Sequence, residues 1–301
     1  MTTLVLAGHG TRSARGEETL AGLRDLVRGG RRGTRVEQAF LEISSPLLAD
    51  VLPGLPGPVV VVPLLLAGGY HVHIDLPSVV AEARPDAVVA APLGPHALLT
   101  SVLARRLSAA GLRAADSVIL GAAGSSDPAA LADVRAAARL LAVRLSRPVT
   151  AAFAATGAPS IAEALDRLRS GPAPRIALAS YLLAPGFFQD RLEASGADLV
   201  AAPLGVDADL AALVWARFDQ ARLASVASGG VRARLASAAA GADRARPAPP
   251  GSERPGPGGV RLAPVVPGGD QARWGSSLSS RTISSATSSR DGRESEPRRI
   301  S

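Results

Sequence analysis

The 301-residue chain contains no cysteine. That absence removes disulfides, thiolate zinc sites, cysteine nucleophiles and cysteine-held iron–sulfur clusters from consideration. The first ten residues lack a basic segment ahead of an apolar core, so no signal peptide is expected. Long hydrophobic runs are missing too. The longest, residues 59–67, is interrupted by Pro63 and is far too short to span a bilayer. The expectation is a cytoplasmic protein with no membrane partner.

The net charge of +7 invites a nucleic-acid reading, but the body of the chain does not carry it. Residues 1–221 hold 20 Arg against 20 acidic residues, whereas residues 222–301 hold 13 Arg against 6. That last stretch is dominated by Pro, Gly, Ser and Arg and has few large apolar side chains to offset its ordering entropy. It is expected to be a disordered tail, and no nucleic-acid partner is expected for the core.

What the body does contain is apolar material, 47% over the whole chain, enough for a packed core. Short β-rich runs at 3–8, 35–41, 58–65, 87–91, 117–121, 148–154, 175–181 and 198–201 predict strands. Between them, 16–28, 46–52, 97–110, 128–145 and 160–168 predict helices. Strands apolar on both faces and alternating with helices imply parallel sheets covered by helices. Ligands in such folds bind beyond the carboxyl ends of the strands.

The chain also repeats itself. Val89-Ala-Ala-Pro-Leu-Gly94 recurs unchanged as Val200-Ala-Ala-Pro-Leu-Gly205. Val36 to Pro46 matches Val149 to Pro159 in spacing and in its Val, Ala, Phe and Pro anchors. Leu65-Leu-Ala-Gly-Gly-Tyr70 matches Leu182-Leu-Ala-Pro-Gly-Phe187, and Leu6-Ala-Gly-His-Gly10 matches Leu120-Gly-Ala-Ala-Gly124. Four blocks in the same order, at offsets of 111 to 117, define two homologous α/β lobes. The expected division is a first lobe at 1–112, a second at 113–221 and the tail at 222–301.

All four histidines lie in the first lobe. The repeat sets His9 opposite Ala123, Glu42 opposite Ala155 and His71 opposite Phe188. A requirement of the fold would be kept in both lobes, so the difference points to function. Each of the three follows a strand, and two imidazoles with a carboxylate form an open site for a divalent transition metal. His73 is expected to point away from His71 if 70–75 is extended, lining the cleft or standing at the surface. His96 opens a helix where the second lobe has Asp207, so capping is its expected role. Gly8-His-Gly10 and Gly68-Gly69 let the chain approach a ligand closely. Arg12 has two readings, a bidentate contact to a ligand carboxylate or an exposed helix-start arginine.

These motifs resemble the sirohydrochlorin chelatases, class II tetrapyrrole chelatases. The resemblance rests on Gly8-His-Gly-Thr-Arg12, Phe40-Leu-Glu-Ile with Ser45-Pro46, Val62 to Leu66 with Gly68-Gly-Tyr-His71 and Asp75-Leu-Pro77, and Pro92 to His96. It covers the first lobe in motifs and the second in scaffold only, as in two-lobed members with one retained active site. It implies two chelatase-like lobes, each a parallel four-stranded sheet flanked by helices. The implied reaction inserts Co²⁺ or Fe²⁺ into sirohydrochlorin for cobalamin or sirohaem synthesis, with the metal as substrate and no prosthetic group. By the same resemblance His9 and His71 are catalytic and bind metal, and Glu42 is their acidic partner. Gly10, Thr11, Arg12, Gly68, Gly69, Tyr70 and His73 are the candidate contacts to the tetrapyrrole. A fused two-lobed chain is expected to act as a monomer, with a dimer as the alternative. Two other readings compete: a metal or tetrapyrrole carrier without turnover, and a histidine-type phosphatase. The phosphatase reading lacks the Arg that such enzymes place before the His, where this chain has Gly8.

Overall fold

The computed structural model describes residues 1–69, 71–171 and 175–244, and only the backbone of His71 and of 228–244. The first lobe runs β1 (Thr3–Gly8), α1 (Ala14–Gly30), β2 (Val36–Phe40), α2 (Leu48–Val51), β3 (Val59–Pro63), α3 (Leu76–Ala83), β4 (Val88–Val89) and α4 (Ala97–Ala109). The second runs β5 (Ser117–Ala122), α5 (Pro128–Leu145), β6 (Val149–Phe153), α6 (Ile161–Arg169), β7 (Ile176–Ser180), α7 (Phe187–Glu193), β8 (Leu199–Val200) and α8 (Ala208–Arg244). Each lobe holds a four-stranded parallel sheet, ordered β2-β1-β3-β4 and β6-β5-β7-β8. The expected fold class is the observed one.

Strand alternation sets the layers, because successive side chains face opposite sides of a sheet. Leu4, Leu6, Val60 and Val62 face a central core shared with Val118, Leu120, Ala177 and Ala179 of the second sheet. Helices α1, α4, α5 and α8 fill that core between the sheets. On the outer faces, Val5, Ala7, Val59 and Val61 pack under α2 and α3, while Ile119, Ala152 and Leu178 pack under α6 and α7. Ordinary caps start the helices. The Ser13 and Asp127 side chains accept from Gly16 N and Ala129 N, and Ser160 forms a capping box with Glu163.

The lobes meet by reciprocal contacts. Arg106 on α4 donates to the Leu204 carbonyl at 2.8 Å, and Arg217 on α8 donates to the Leu93 carbonyl at 3.3 Å. Arg106 and Arg217, like Leu93 and Leu204, are related by the repeat. The two halves of one chain therefore associate as an isologous pair, as subunits of a twofold dimer do.

Three departures from the sequence reading have physical causes. The edge strands β4 and β8 shrink to two residues each, because only Val60 and Val61 of β3, and Ala177 and Leu178 of β7, pair with them. The segment His71–Asp75 is a single π-helical turn leading directly into α3, so the extended condition on which His73 would point away from His71 is not met. Strand alternation does not govern the pair. Finally, α8 runs on to Arg244, into the first part of the stretch expected as a disordered tail, through Ala-, Arg- and Ser-rich residues with no proline before Pro247. The rest of the expected tail, from 245, lies outside the described residues.

Candidate active site

The carboxyl edge of the first sheet carries the histidine loops. His9 directly follows β1, and Glu42 follows the neighbouring β2, where Gly8 and Phe40 pair. The backbone ties the two loops together: Leu41 N donates to Gly8 O at 2.8 Å and Glu42 N to His9 O at 3.1 Å. The side chains meet as well, with His9 Nε2 3.4 Å from Glu42 Oε1. The site opens to solvent, since the His9 side chain is 35% and that of Glu42 56% exposed. His71 begins the π-helical turn beyond β3, the other neighbour of β1. The structure thus brings His9 and Glu42 into contact and places the His71 backbone beyond the same sheet edge. Among the described residues there is no cluster of three or more metal-ligating side chains, and the His71 side chain is not among them.

The second lobe repeats this frame without the chemistry. Ala154 N donates to Ala122 O at 2.8 Å and Ala155 N to Ala123 O at 2.9 Å, the same ladder that joins Leu41 and Glu42 to Gly8 and His9. Ala123 and Ala155 therefore occupy the places of His9 and Glu42 in space as well as in sequence. Gly10 and Gly124 both have φ of +105° and both pass too close to the crossing loop for a Cβ. The turn after the first strand is thus a requirement of the fold, whereas the imidazole and carboxylate beside it are not.

The other candidate contacts are distributed as follows. Thr11 is cross-linked to Ser44, whose Oγ accepts from Thr11 N and donates to Thr11 O, each at 3.0 Å. Ser44 is 4% exposed and was missed in the sequence, although it lies within the Val36 to Pro46 repeat block. Between Glu42 and Ser44, Ile43 has φ of 68° and a half-exposed side chain. A β-branched residue in that region is strained, and such strain collects at functional loops. Arg12 is exposed just ahead of α1. Gly68 is buried and Gly69 half-buried; a Cβ on Gly68 would run into the exposed His73 imidazole and the Asp133 carboxylate. Tyr70 lies outside the described residues. His96 caps α4 as expected, with Nδ1 accepting from Leu98 N at 3.1 Å, and Asp207 likewise accepts from Asp209 N at 2.9 Å. Burial, and secondarily the charge of Arg217, hold the His96 imidazole below its usual pKa.

Two depressions elsewhere are unrelated to these groups. One of about 200 Å³ is lined in part by Phe153, Ile161 and Arg191, and another of about 260 Å³ by Arg31, Phe218 and Arg222. Neither is lined by His9 or Glu42. An open sheet edge suits a broad, flat ligand better than a closed cavity would.

The family model described as CbiX matches residues 3–110 and then 117–221. The chain belongs to the CbiX family. The match covers both lobes and bears out the resemblance to sirohydrochlorin chelatases carried by the motifs. A sirohydrochlorin ferrochelatase of the Arabidopsis thaliana chloroplast is 34% identical over 117 residues, 35% of this chain. That match spans 50% of the relative, so the chain covers half the length of this curated relative. Among solved structures, SirB of Bacillus subtilis with Fe³⁺ superposes with a TM-score of 0.64 at 21% identity, over 73% of this chain and 95% of SirB. SirB of subspecies spizizenii in complex with cobalt gives 0.60 at 21% identity, over 76% and 97%. At that identity the likeness is one of fold.

Proposed function

We propose that this CbiX-family protein is a sirohydrochlorin chelatase, inserting a divalent metal into the tetrapyrrole at the carboxyl edge of its first lobe. The observation that carries the reading is the unequal pair of lobes. One hydrogen-bonded frame holds His9 against Glu42, and its copy holds Ala155 beside Ala123. The activity named for the Arabidopsis relative, and the metal-bound SirB structures, support the same chemistry. Either Co²⁺ or Fe²⁺ is the metal substrate, since imidazole and carboxylate ligands accept both.

In this reading His9 and His71 hold the ion with Glu42. Neutral imidazoles bind it weakly enough to release it. Insertion displaces two pyrrole N–H protons, so overall the macrocycle and M²⁺ give the metallated product and two H⁺. His9 and Glu42, side by side and open to water, are the proton acceptors. Arg12, exposed beside the site, pairs with a peripheral carboxylate of the tetrapyrrole. Gly68, Gly69, Tyr70 and His73 border the macrocycle, while Gly10 and Thr11 shape the loop through their backbone. The lobes already form a twofold-like pair within one chain, so the working unit is a monomer. No helix among the described residues is long and apolar enough to cross a membrane.

The test is an anaerobic absorbance assay of sirohydrochlorin metallation with Co²⁺ and Fe²⁺ in turn. Wild type should accelerate the spectral change, and His9→Ala and His71→Ala should reduce it to the rate without protein. Wild type at the uncatalysed rate with both ions would refute the reading.

A further inference from the structure

The second lobe lacks the site residues but reaches across to the loop that leads to His71. Tyr181, 3% exposed at the end of β7, donates its hydroxyl to the Leu66 carbonyl at 2.9 Å. Asp133 on α5 accepts from Gly68 N through Oδ2 at 2.8 Å. The next peptide is the anchor of the histidine turn, because Gly69 O accepts from both Val72 N and His73 N at 2.9 Å. The backbone from Leu66 to the π-helical turn is therefore pinned at successive points, two of them by the other lobe. Gly94 leaves the space for this: a Cβ there would collide with both the Leu66 carbonyl and the Tyr181 hydroxyl. Burial, reinforced by the Asp133 charge, pushes the phenol pKa up, which keeps Tyr181 a donor.

The first lobe does not return these contacts. In the repeat register Tyr181 stands opposite Leu64, which has no hydroxyl. Asp133 stands opposite Thr19, whose hydroxyl donates to Arg15 O of its own helix at 2.7 Å. Gly68 itself stands opposite Pro185, which has no N–H to donate. Arg106 and Arg217 make reciprocal contacts, whereas Arg31 with Asp219, Trp215 with the Val27 carbonyl and Arg105 with Asp207 and Asp209 also cross between the lobes without a repeat-related copy. Here the asymmetry runs in the same direction as that of His9, Glu42 and His71.

We propose that Tyr181 and Asp133 are positioning residues by which the second lobe holds the His71 loop in register with His9 and Glu42. The inference rests on the reading of His71 as a metal ligand and assigns the second lobe a part in the site. A ligand loop released by even about 1 Å loses productive geometry, with effects on the order of 100-fold.

The experiment compares wild type with Tyr181→Phe, Asp133→Ala and Asp133→Asn, together with Ser180→Ala. The last removes a buried bond in the same lobe, Ser180 Oγ to Ala201 O at 2.7 Å, without touching the loop. Two readouts are taken: Co²⁺ affinity without tetrapyrrole, and kcat for metallation well below the melting temperature. Tyr181→Phe and Asp133→Ala should weaken Co²⁺ binding by about 10–100-fold and lower kcat in step. Asp133→Asn, whose amide oxygen still accepts from Gly68 N, should stay within about threefold of wild type, the loss expected when a charge-assisted bond becomes neutral. Ser180→Ala should lose melting temperature but keep both readouts. Wild-type behaviour of Tyr181→Phe and Asp133→Ala, or an equal loss in Ser180→Ala, overturns the proposal. If wild type binds Co²⁺ but does not metallate, the chelatase reading fails and the Co²⁺ affinities alone decide the positioning role. A wild type that neither binds Co²⁺ nor metallates overturns both.

Discussion

Replacing Gly10 by alanine should damage fold and site together, whereas the same change at Gly124 should damage the fold alone. Both positions have φ of +105°, and at both a Cβ would overlap a carbonyl oxygen of the crossing loop, Glu42 in one lobe and Thr156 in the other. Holding an L-residue at such an angle costs of order 1–3 kcal/mol. Pushing the crossing carbonyl aside in a packed loop adds about 1–3 kcal/mol more. The total is about 4 kcal/mol, which for a folded body of this size lowers Tm by roughly 8–16 °C. In the first lobe the displaced segment is Glu42 to Ser44, which carries the carboxylate and the Ser44 cross-link to Thr11. In the second it is Thr156, with only Ala155 and Gly157 beside it. Thermal unfolding by circular dichroism, paired with a Co²⁺ titration at 20 °C, separates the two effects. Both variants should melt early, and Gly10→Ala alone should lose Co²⁺ affinity. A Gly10→Ala protein melting with wild type, or a Gly124→Ala protein losing as much Co²⁺ affinity, would refute the reasoning.

Further outcomes follow from the same contacts. Arg106→Ala and Arg217→Ala remove reciprocal bonds to the Leu204 and Leu93 carbonyls and should each cost about 1–3 kcal/mol in urea unfolding; a large inequality would argue against the twofold-like interface. His96 caps α4 through a neutral Nδ1, and its pKa is lowered in the fold. The unfolded chain therefore takes up the proton first as pH falls below about 6.5, and the stability held above that pH is lost toward the lower folded pKa. His96→Asn, which keeps an acceptor but does not titrate, should flatten that part of the Tm-against-pH curve; an unchanged slope would exclude the cap as its source. Ile43→Gly relieves the strain at φ of 68° and should raise stability by about 1 kcal/mol, read as a higher urea midpoint. Metallation should decline in acid, because only neutral imidazole ligates; a flat profile from about pH 5 to 8 would count against the imidazole ligands.

The strands were legible because β-branched apolar runs such as Val59 to Val62 have no other easy conformation. The repeat made His9 and Glu42 legible as a pair, since the missing side chains in the second lobe served as an internal comparison. His96 and Asp207 could be read as caps from their place after glycine and before an apolar helix. Short α7 was harder, starting after Gly186 with no side-chain cap. The π-helical turn was hidden because Tyr70 to Asp75 offers neither a cap nor a helical apolar period. Asp133 and Tyr181 could not be found by motif, because their roles depend on how two lobes pack. Ser44 sat inside a quoted motif, yet its bridging geometry depends on the turn at Gly10.

The central claim is that one lobe of the pair is a working chelatase site, and turnover number tests it most directly. Sirohydrochlorin and Co²⁺ or Fe²⁺ are supplied in excess, and metallated product is counted per protein molecule. The account predicts release well beyond one equivalent with at least one ion, and none above background for His9→Ala. Release that stops at one equivalent, or a wild type matching the protein-free control with both ions, would contradict it.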